Sequence, residues 1–197
     1  MADLVLCSRN RSDRLLDDPP LLPLSTTVTI AETPRLLLRQ LGKSDAAFIY
    51  RLVNTEGWLK NIGDRNVHSV ENAEAYIERT AIASYKANGF GLWMVESKDN
   101  HEPMGICGLI RRPGLEDVDI GFAFMPGFHG KGFAIEAAAA TVQQAARVGL
   151  RKLVAITLPA NKPSVNLLLR LRFRFEKTMT LPGETVPLNL YSLDIKS

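Results

Sequence analysis

Cysteine and histidine are scarce in this chain, and long apolar runs are missing. Two cysteines, Cys7 and Cys107, in 197 residues cannot build a disulfide framework, so a reducing, cytoplasmic setting is the default expectation. The three histidines, His68, His101 and His129, stand at no ligand spacing to one another or to cysteine, and no metal site is predicted. No stretch approaches the ~20 apolar residues that cross a bilayer, so no membrane span is expected. The N-terminal segment mixes Arg9, Arg11 and Arg14 with Asp3, Asp13, Asp17 and Asp18, which argues against a secretory or transit peptide. A formal net charge of +3 is too small to call for nucleic acid. Two common phosphate patterns also fail. Phe133 follows Gly132 where a Walker loop needs Lys-Ser/Thr, and Ile135 stands where a dinucleotide fingerprint needs its third glycine.

What remains is the composition of an ordinary globular protein, with 46% hydrophobic and 23% charged residues, long enough to bury one core. Residues 1–24 end in Pro19, Pro20 and Pro23 and read as an extension, disordered or lying along the surface. Residues 25–197 read as one domain. Arg35–Leu41 is a short strand. Ser44 is expected to cap a helix to Asn54 whose stripe is Phe48, Ile49, Leu52 and Val53. Gly57–His68 is a connector in which Trp58 is a core or lid aromatic. A second helix runs from a Ser69 cap to Asn88 and stops at Gly89. Gly91–Glu96 and Met104–Ile110 form a hairpin, and Arg111–Asp117 turns into the next strand.

The chain is organised around Val118–Ala134, V-D-I-G-F-A-F-M-P-G-F-H-G-K-G-F-A. An apolar strand is stopped by Pro126-Gly127, and Gly130-Lys131-Gly132 leads into an alanine-rich helix ending at Gly149. On that helix Ile135, Ala138, Ala139, Val142 and Ala146 share one face, with Glu136, Gln143, Gln144 and Arg147 on the other. The first amides of a helix lack intrahelical partners and carry partial positive charge, so this junction can hold a phosphate. It can equally be plain turn chemistry. Lys152–Leu158 is a buried strand parallel to the first because a helix joins them. Ser164–Leu171 is a short helix, and Arg172–Thr180 and Pro187–Ile195 are two last strands. The fold class is α+β, in the order β-α-α-β-β-β-α-β-α-β-β.

His129-Gly130-Lys131-Gly132-Phe133-Ala134 resembles the acyl-CoA motif [QR]-x-x-G-x-[GA] of the GNAT superfamily of N-acetyltransferases, with histidine in the first place. The wider P-G-F-H-G-K-G-F-A-I-E-A, together with T-P-R-L-L-L-R near residue 35, resembles the branch containing ribosomal-protein N-terminal acetyltransferases. That likeness covers about residues 33–195. It implies a mixed, mostly antiparallel sheet with a parallel, splayed strand pair at the acyl-CoA site. It also implies acetyl-CoA as acyl donor and an amine acceptor, a protein N-terminus or a small molecule. The protein would be a monomer or a homodimer.

The resemblance assigns cofactor binding to Phe124, Met125, His129, Gly130, Lys131, Gly132, Phe133, Ala134 and Asn161. The pyrophosphate falls to the loop amides, pantetheine to the strand edge near Phe124, and the thioester carbonyl to a backbone N–H there. Asn161 is otherwise a turn residue. Asp119 stands at the family's frequent acidic position, as a base acting through water, or else as a carboxylate turned to solvent. Ser164, in Asn161-x-x-Ser164, is the candidate acid, or else a helix cap. Three positions depart from the family: Leu168 where many members carry tyrosine, Arg172 for glycine, and His129 for tryptophan. They keep open the alternative of a CoA-binding module with little or no turnover.

Overall fold

The computed structural model describes residues 28–195; the expectation for residues 1–24 lies outside them. Eight strands form one sheet in the order β1-β2-β3-β4-β5-β6-β8-β7. These are β1 (Thr29–Glu32), β2 (Leu36–Gln40), β3 (Leu92–Ser97), β4 (Pro103–Ile110), β5 (Val118–Phe124), β6 (Lys152–Thr157), β7 (Arg174–Met179) and β8 (Leu188–Asp194). One face is covered by α1 (Ala46–Val53), α2 (Glu56–Asn61), α3 (Val70–Ile77) and α4 (Ala83–Asn88), the other by α5 (Phe133–Arg147) and α6 (Lys162–Arg170). Each face therefore has its own apolar core. Leu36, Leu38, Val95, Leu109 and Leu153 are buried toward α5 and α6, while Ile49, Leu52, Met94, Ile106 and Ile77 are buried toward α1–α4.

The expected α+β order holds, with two additions. β1 pairs antiparallel with β2, from Thr29↔Arg39 to Glu32↔Leu37, and α2 begins at Thr55, whose side chain accepts the Trp58 amide. Trp58 is 5% exposed and donates its ring N–H to the Gly63 carbonyl; it is core, not lid. The start of α1 is organised by Asp45 rather than by the expected Ser44. Asp45 accepts the Gly42 amide at 2.8 Å and two bonds from Arg39, each 2.8 Å. Arg39 also donates to Glu96 at 2.7 Å, so one part-buried guanidinium ties β2, β3 and α1 together. Ser69 caps α3 as expected, and a π-helical turn, Glu78–Ile82, links α3 to α4. Gly89 ends α4 with φ 75°.

The face of α5 differs from the expected one. Ala137, Ala138, Ala140, Thr141, Gln144 and Ala145 are buried, while Ala146 is exposed. Alanine lets the helix lie close on β4 and β5. Gln144 can be buried because its amide donates to the Ile30 carbonyl of β1, a partner on the strand that sequence patterning did not reveal. Asn161, not Ser164, caps α6, accepting the Ser164 amide at 3.3 Å.

One topological feature positions the site. β5 and β6 are parallel, but only Val118↔Leu153 and Asp119↔Val154 pair. β6 then follows β8 through Thr157↔Asn189 and β5 follows β4 to Gly105↔Phe124. Beyond Asp119 the two strands part, leaving a cleft within the sheet.

Candidate functional site

The amide of Met125 donates to Met104 on β4 at 2.9 Å. Main-chain groups alternate sides along a strand, so the N–H and C=O of Phe124 and Phe122 point away from β4, into the cleft. The Phe124 carbonyl accepts from Nε2 of His129 at 2.8 Å; because a carbonyl only accepts, Nε2 carries the proton. Met125 differs from its neighbour. Its N–H is taken by β4, and its side chain packs toward α1–α4.

Past a 3₁₀ turn at Pro126–Phe128, Gly130 and Gly132 take φ of 74° and 81°, and Gly132 is the N-cap of α5. Left-handed φ at both positions is what glycine permits and other residues resist. Among the described residues no acceptor takes the amides of Gly130 to Ile135. That row of N–H groups, with the α5 dipole behind it and exposed Lys131 at its centre, suits an anion such as a pyrophosphate.

The loop is braced by Arg35 and Glu136. Glu136 accepts from the Thr33 hydroxyl at 2.6 Å, the Arg35 amide at 3.0 Å and Arg35 Nε at 2.7 Å. Arg35 then donates to the Lys131 carbonyl at 3.1 Å and lies 4.4 Å over the Phe133 ring. Partial burial opposes charge on Glu136, but the bonds from Thr33 and Arg35 outweigh it and hold its carboxyl below the ordinary range. Glu136 is thus a structural pair, and Arg35 is a loop-bracing residue that sequence reading left inside a strand.

Asp119 does not face solvent. It is 1% exposed on the α1–α4 side of β5, where Arg112 Nε and Nη2 both donate to Oδ2, at 2.9 and 2.8 Å. Oδ1 is buried with no hydrogen-bond partner among the described residues. Burial pushes the carboxyl up to about 6, against the pull of Arg112. Asp119 is thus a buried carboxyl at the fork of the cleft, with one oxygen fixed by Arg112 and the other without a partner, and burial favours its protonated form. The β4–β5 turn that carries Arg112 is itself buttressed: a side chain at Gly114 would run into Pro182 of the β7–β8 connection.

At the C-terminal end of β6, Asn161 spends Oδ1 on its cap and keeps its amide NH₂ as a donor. Ser164 lies in the first turn of α6 with no bond from its hydroxyl among the described residues. Leu168, at the tyrosine position of many family members, is 1% exposed and belongs to the core. Arg172, at the position where the resemblance expects glycine, is left-handed with φ 67°, and Phe173 after it turns inward to 2% exposure. Cys107 is fully buried against the Thr141 hydroxyl at 3.2 Å, and burial pushes its thiol up to about 12, which rules it out as a nucleophile. Among the described residues no group of His, Cys, Asp and Glu side chains could hold a metal ion, and no helix is long and apolar enough to cross a membrane.

Comparison with known proteins agrees with this geometry. The acetyltransferase (GNAT) domain family matches residues 35–174. The uncharacterized N-acetyltransferase YoaA of Bacillus subtilis (strain 168) is 28% identical over 170 residues, covering 83% of this chain and 96% of YoaA. A ribosomal-protein alanine acetyltransferase from Vibrio fischeri superposes with a TM-score of 0.72 at 19% identity, over 86% of this chain and 98% of that one. RimL, a ribosomal-protein alpha-N-acetyltransferase solved with coenzyme A, gives 0.72 at 22% identity, over 85% and 98%. With a family match over most of its length, a sheet that opens after one short parallel pairing and a row of unclaimed loop amides, the chain belongs to the GNAT family of acetyltransferases.

Proposed function

We propose that the protein transfers an acetyl group from acetyl-CoA to a primary amine, by direct attack within a ternary complex and without a covalent enzyme intermediate. The carrying observation is the edge of β5 at Phe122 and Phe124, whose N–H groups pair with neither β4 nor β6 and face a cleft that ends in the unclaimed amides of Gly130–Ile135. The donor supplies an activated acetyl group; the chain supplies the rest. Loop amides and Lys131 bind the pyrophosphate. The Phe124 N–H and the Asn161 amide NH₂ hydrogen-bond and orient the pantetheine arm, and the Phe124 N–H also offers a donor to the thioester carbonyl. Asp119 Oδ1 takes a proton from the amine through water, so that nitrogen attacks as a neutral nucleophile. The new C–N bond replaces the C–S bond; the Ser164 hydroxyl passes its proton to the departing thiolate and is reprotonated by the second proton that the nitrogen loses as the amide forms.

The acceptor is a protein N-terminus, as in the ribosomal-protein acetyltransferases that share the fold, or a small amine. The protein works in the cytoplasm as a monomer or homodimer. Thiol release from acetyl-CoA across a panel of amines and N-terminal peptides tests the reading. Turnover that falls by ~10²–10⁴ in Asp119→Asn supports it. The burial of Leu168 in the core favours a second reading, a CoA-binding module without turnover. Thermal stabilisation by CoA with no thiol release across the panel would establish that one instead.

A further inference from the structure

A groove of about 360 Å³ lies between the π-turn–α4 helix and the ends of β3 and β4, with Leu92 and Ile110 as an apolar floor and Arg79 and Arg111 among its lining residues. It adjoins the proposed base. A side chain at Gly121, two residues from Asp119 on the same face, would meet Ile110 Cδ1 at 2.7 Å and Leu92 Cδ2 at 3.6 Å. Ile110 is also the cross-strand partner of Asp119, and Arg112, which holds Asp119, continues from Ile110 and Arg111. The groove floor therefore runs up to the fork of the cleft.

Its charge is uncompensated. Among the described residues neither Arg79 nor Arg111 has a carboxylate partner, whereas Arg112, next along the chain, pairs with Asp119. Each is steered by a main-chain carbonyl instead. Arg79 donates to the Arg65 carbonyl at 3.4 Å and lies 5.1 Å over the Tyr76 ring. Arg111 reaches the Glu116 carbonyl at 3.5 Å. The π-turn matters here, because its extra residue rotates Arg79 and Thr80 relative to a regular helix.

We propose that Arg79 and Arg111 bind a carboxylate of the acceptor, and that the preferred acceptor is a peptide N-terminus with acidic side chains at its second and third residues. This rests on Asp119 marking the amine end. Arg111 follows directly on Ile110, the cross-strand partner of Asp119, so it stands within the reach of two or three extended residues from the amine end, and Arg79 lines the same groove. Guanidinium groups with free donors match carboxylates bidentately, and the apolar floor accommodates the intervening chain.

Two hexapeptides test it, one starting Ala-Asp-Asp and one starting Ala-Asn-Asn, with identical remaining residues. Binding is read by calorimetry in the presence of CoA, and turnover by thiol release. The acidic peptide should bind about tenfold or more tightly, with the preference shrinking as salt rises. In the double variant Arg79→Gln, Arg111→Gln the preference should drop to within about twofold while acetyl-CoA affinity is unchanged. Equal binding of both peptides to the unaltered protein, or a preference that survives the double variant, overturns the proposal. A binding preference without turnover of either peptide would sustain this site and count against the proposed catalysis.

Discussion

Asp119→Asn separates the folding consequences of the buried carboxylate from its chemical ones. The carboxyl titrates at about 6 in the folded protein and at 3.8 when unperturbed, because burial opposes its charge more than Arg112 supports it. A raised carboxylate pKa means that the folded state holds its proton where the unfolded state has lost it. Stability from this group is therefore fully present below the unfolded value and is lost as pH rises through the folded one. The whole difference is worth roughly 3 kcal/mol, of which about 2 kcal/mol falls between about pH 4.5 and 7.5. Urea unfolding of both proteins across that range isolates the effect, since every other group is common to them. The asparagine variant should gain on the parent by ~2 kcal/mol over the range and level off above about pH 7. The same residue gives kcat/KM of the parent a rising limb through about pH 6 that the variant lacks. Parallel stability curves would refute the assignment of a raised pKa to this carboxylate.

Two further substitutions examine the frame around the site. Arg172→Gly relieves a left-handed residue at φ 67° and should stabilise the protein by about 1 kcal/mol, seen as a melting temperature higher by about 2–4 °C; no rise would mean that the arginine is otherwise anchored. Asp45→Ala leaves the part-buried Arg39 with Glu96 and the Gln40 carbonyl and should cost about 2 kcal/mol in denaturant unfolding, whereas a loss under about 0.5 kcal/mol would mean that the network contributes little.

Legibility followed the range of the interaction involved. Alternation and caps are local, so the hairpin β3–β4, the Ser69 cap, the Gly89 stop and the parallel relation of β5 to β6 could all be read from the chain. β1 and α2 are too short to carry a period; Thr29–Glu32 is a strand because Arg39 and Leu37 on β2 receive it. The α5 face was misjudged because Gln144 is polar in composition and buried in fact, satisfied by a carbonyl 114 positions away. Asp45 replaces Ser44 at the start of α1 for the same reason, its partner Arg39 lying on another element. Within the site, the glycine loop and Asp119 stood out by motif. Arg35 and Arg112 did not, since an arginine beside a strand end gives no signal until a distant carboxylate is brought to it.

Calorimetric titration of acetyl-CoA into the protein, beside a Gly132→Glu variant shown to be folded by circular dichroism, asks whether the loop amides hold the donor. A Cβ at Gly132 would lie 3.3 Å from Arg35 Nη2 at φ 81°, and the new carboxylate would stand among the loop amides. The unaltered protein should show a single site whose affinity falls at least about tenfold, or about 1.4 kcal/mol, in the variant. No binding to the unaltered protein, or equal binding to a folded variant, would contradict it.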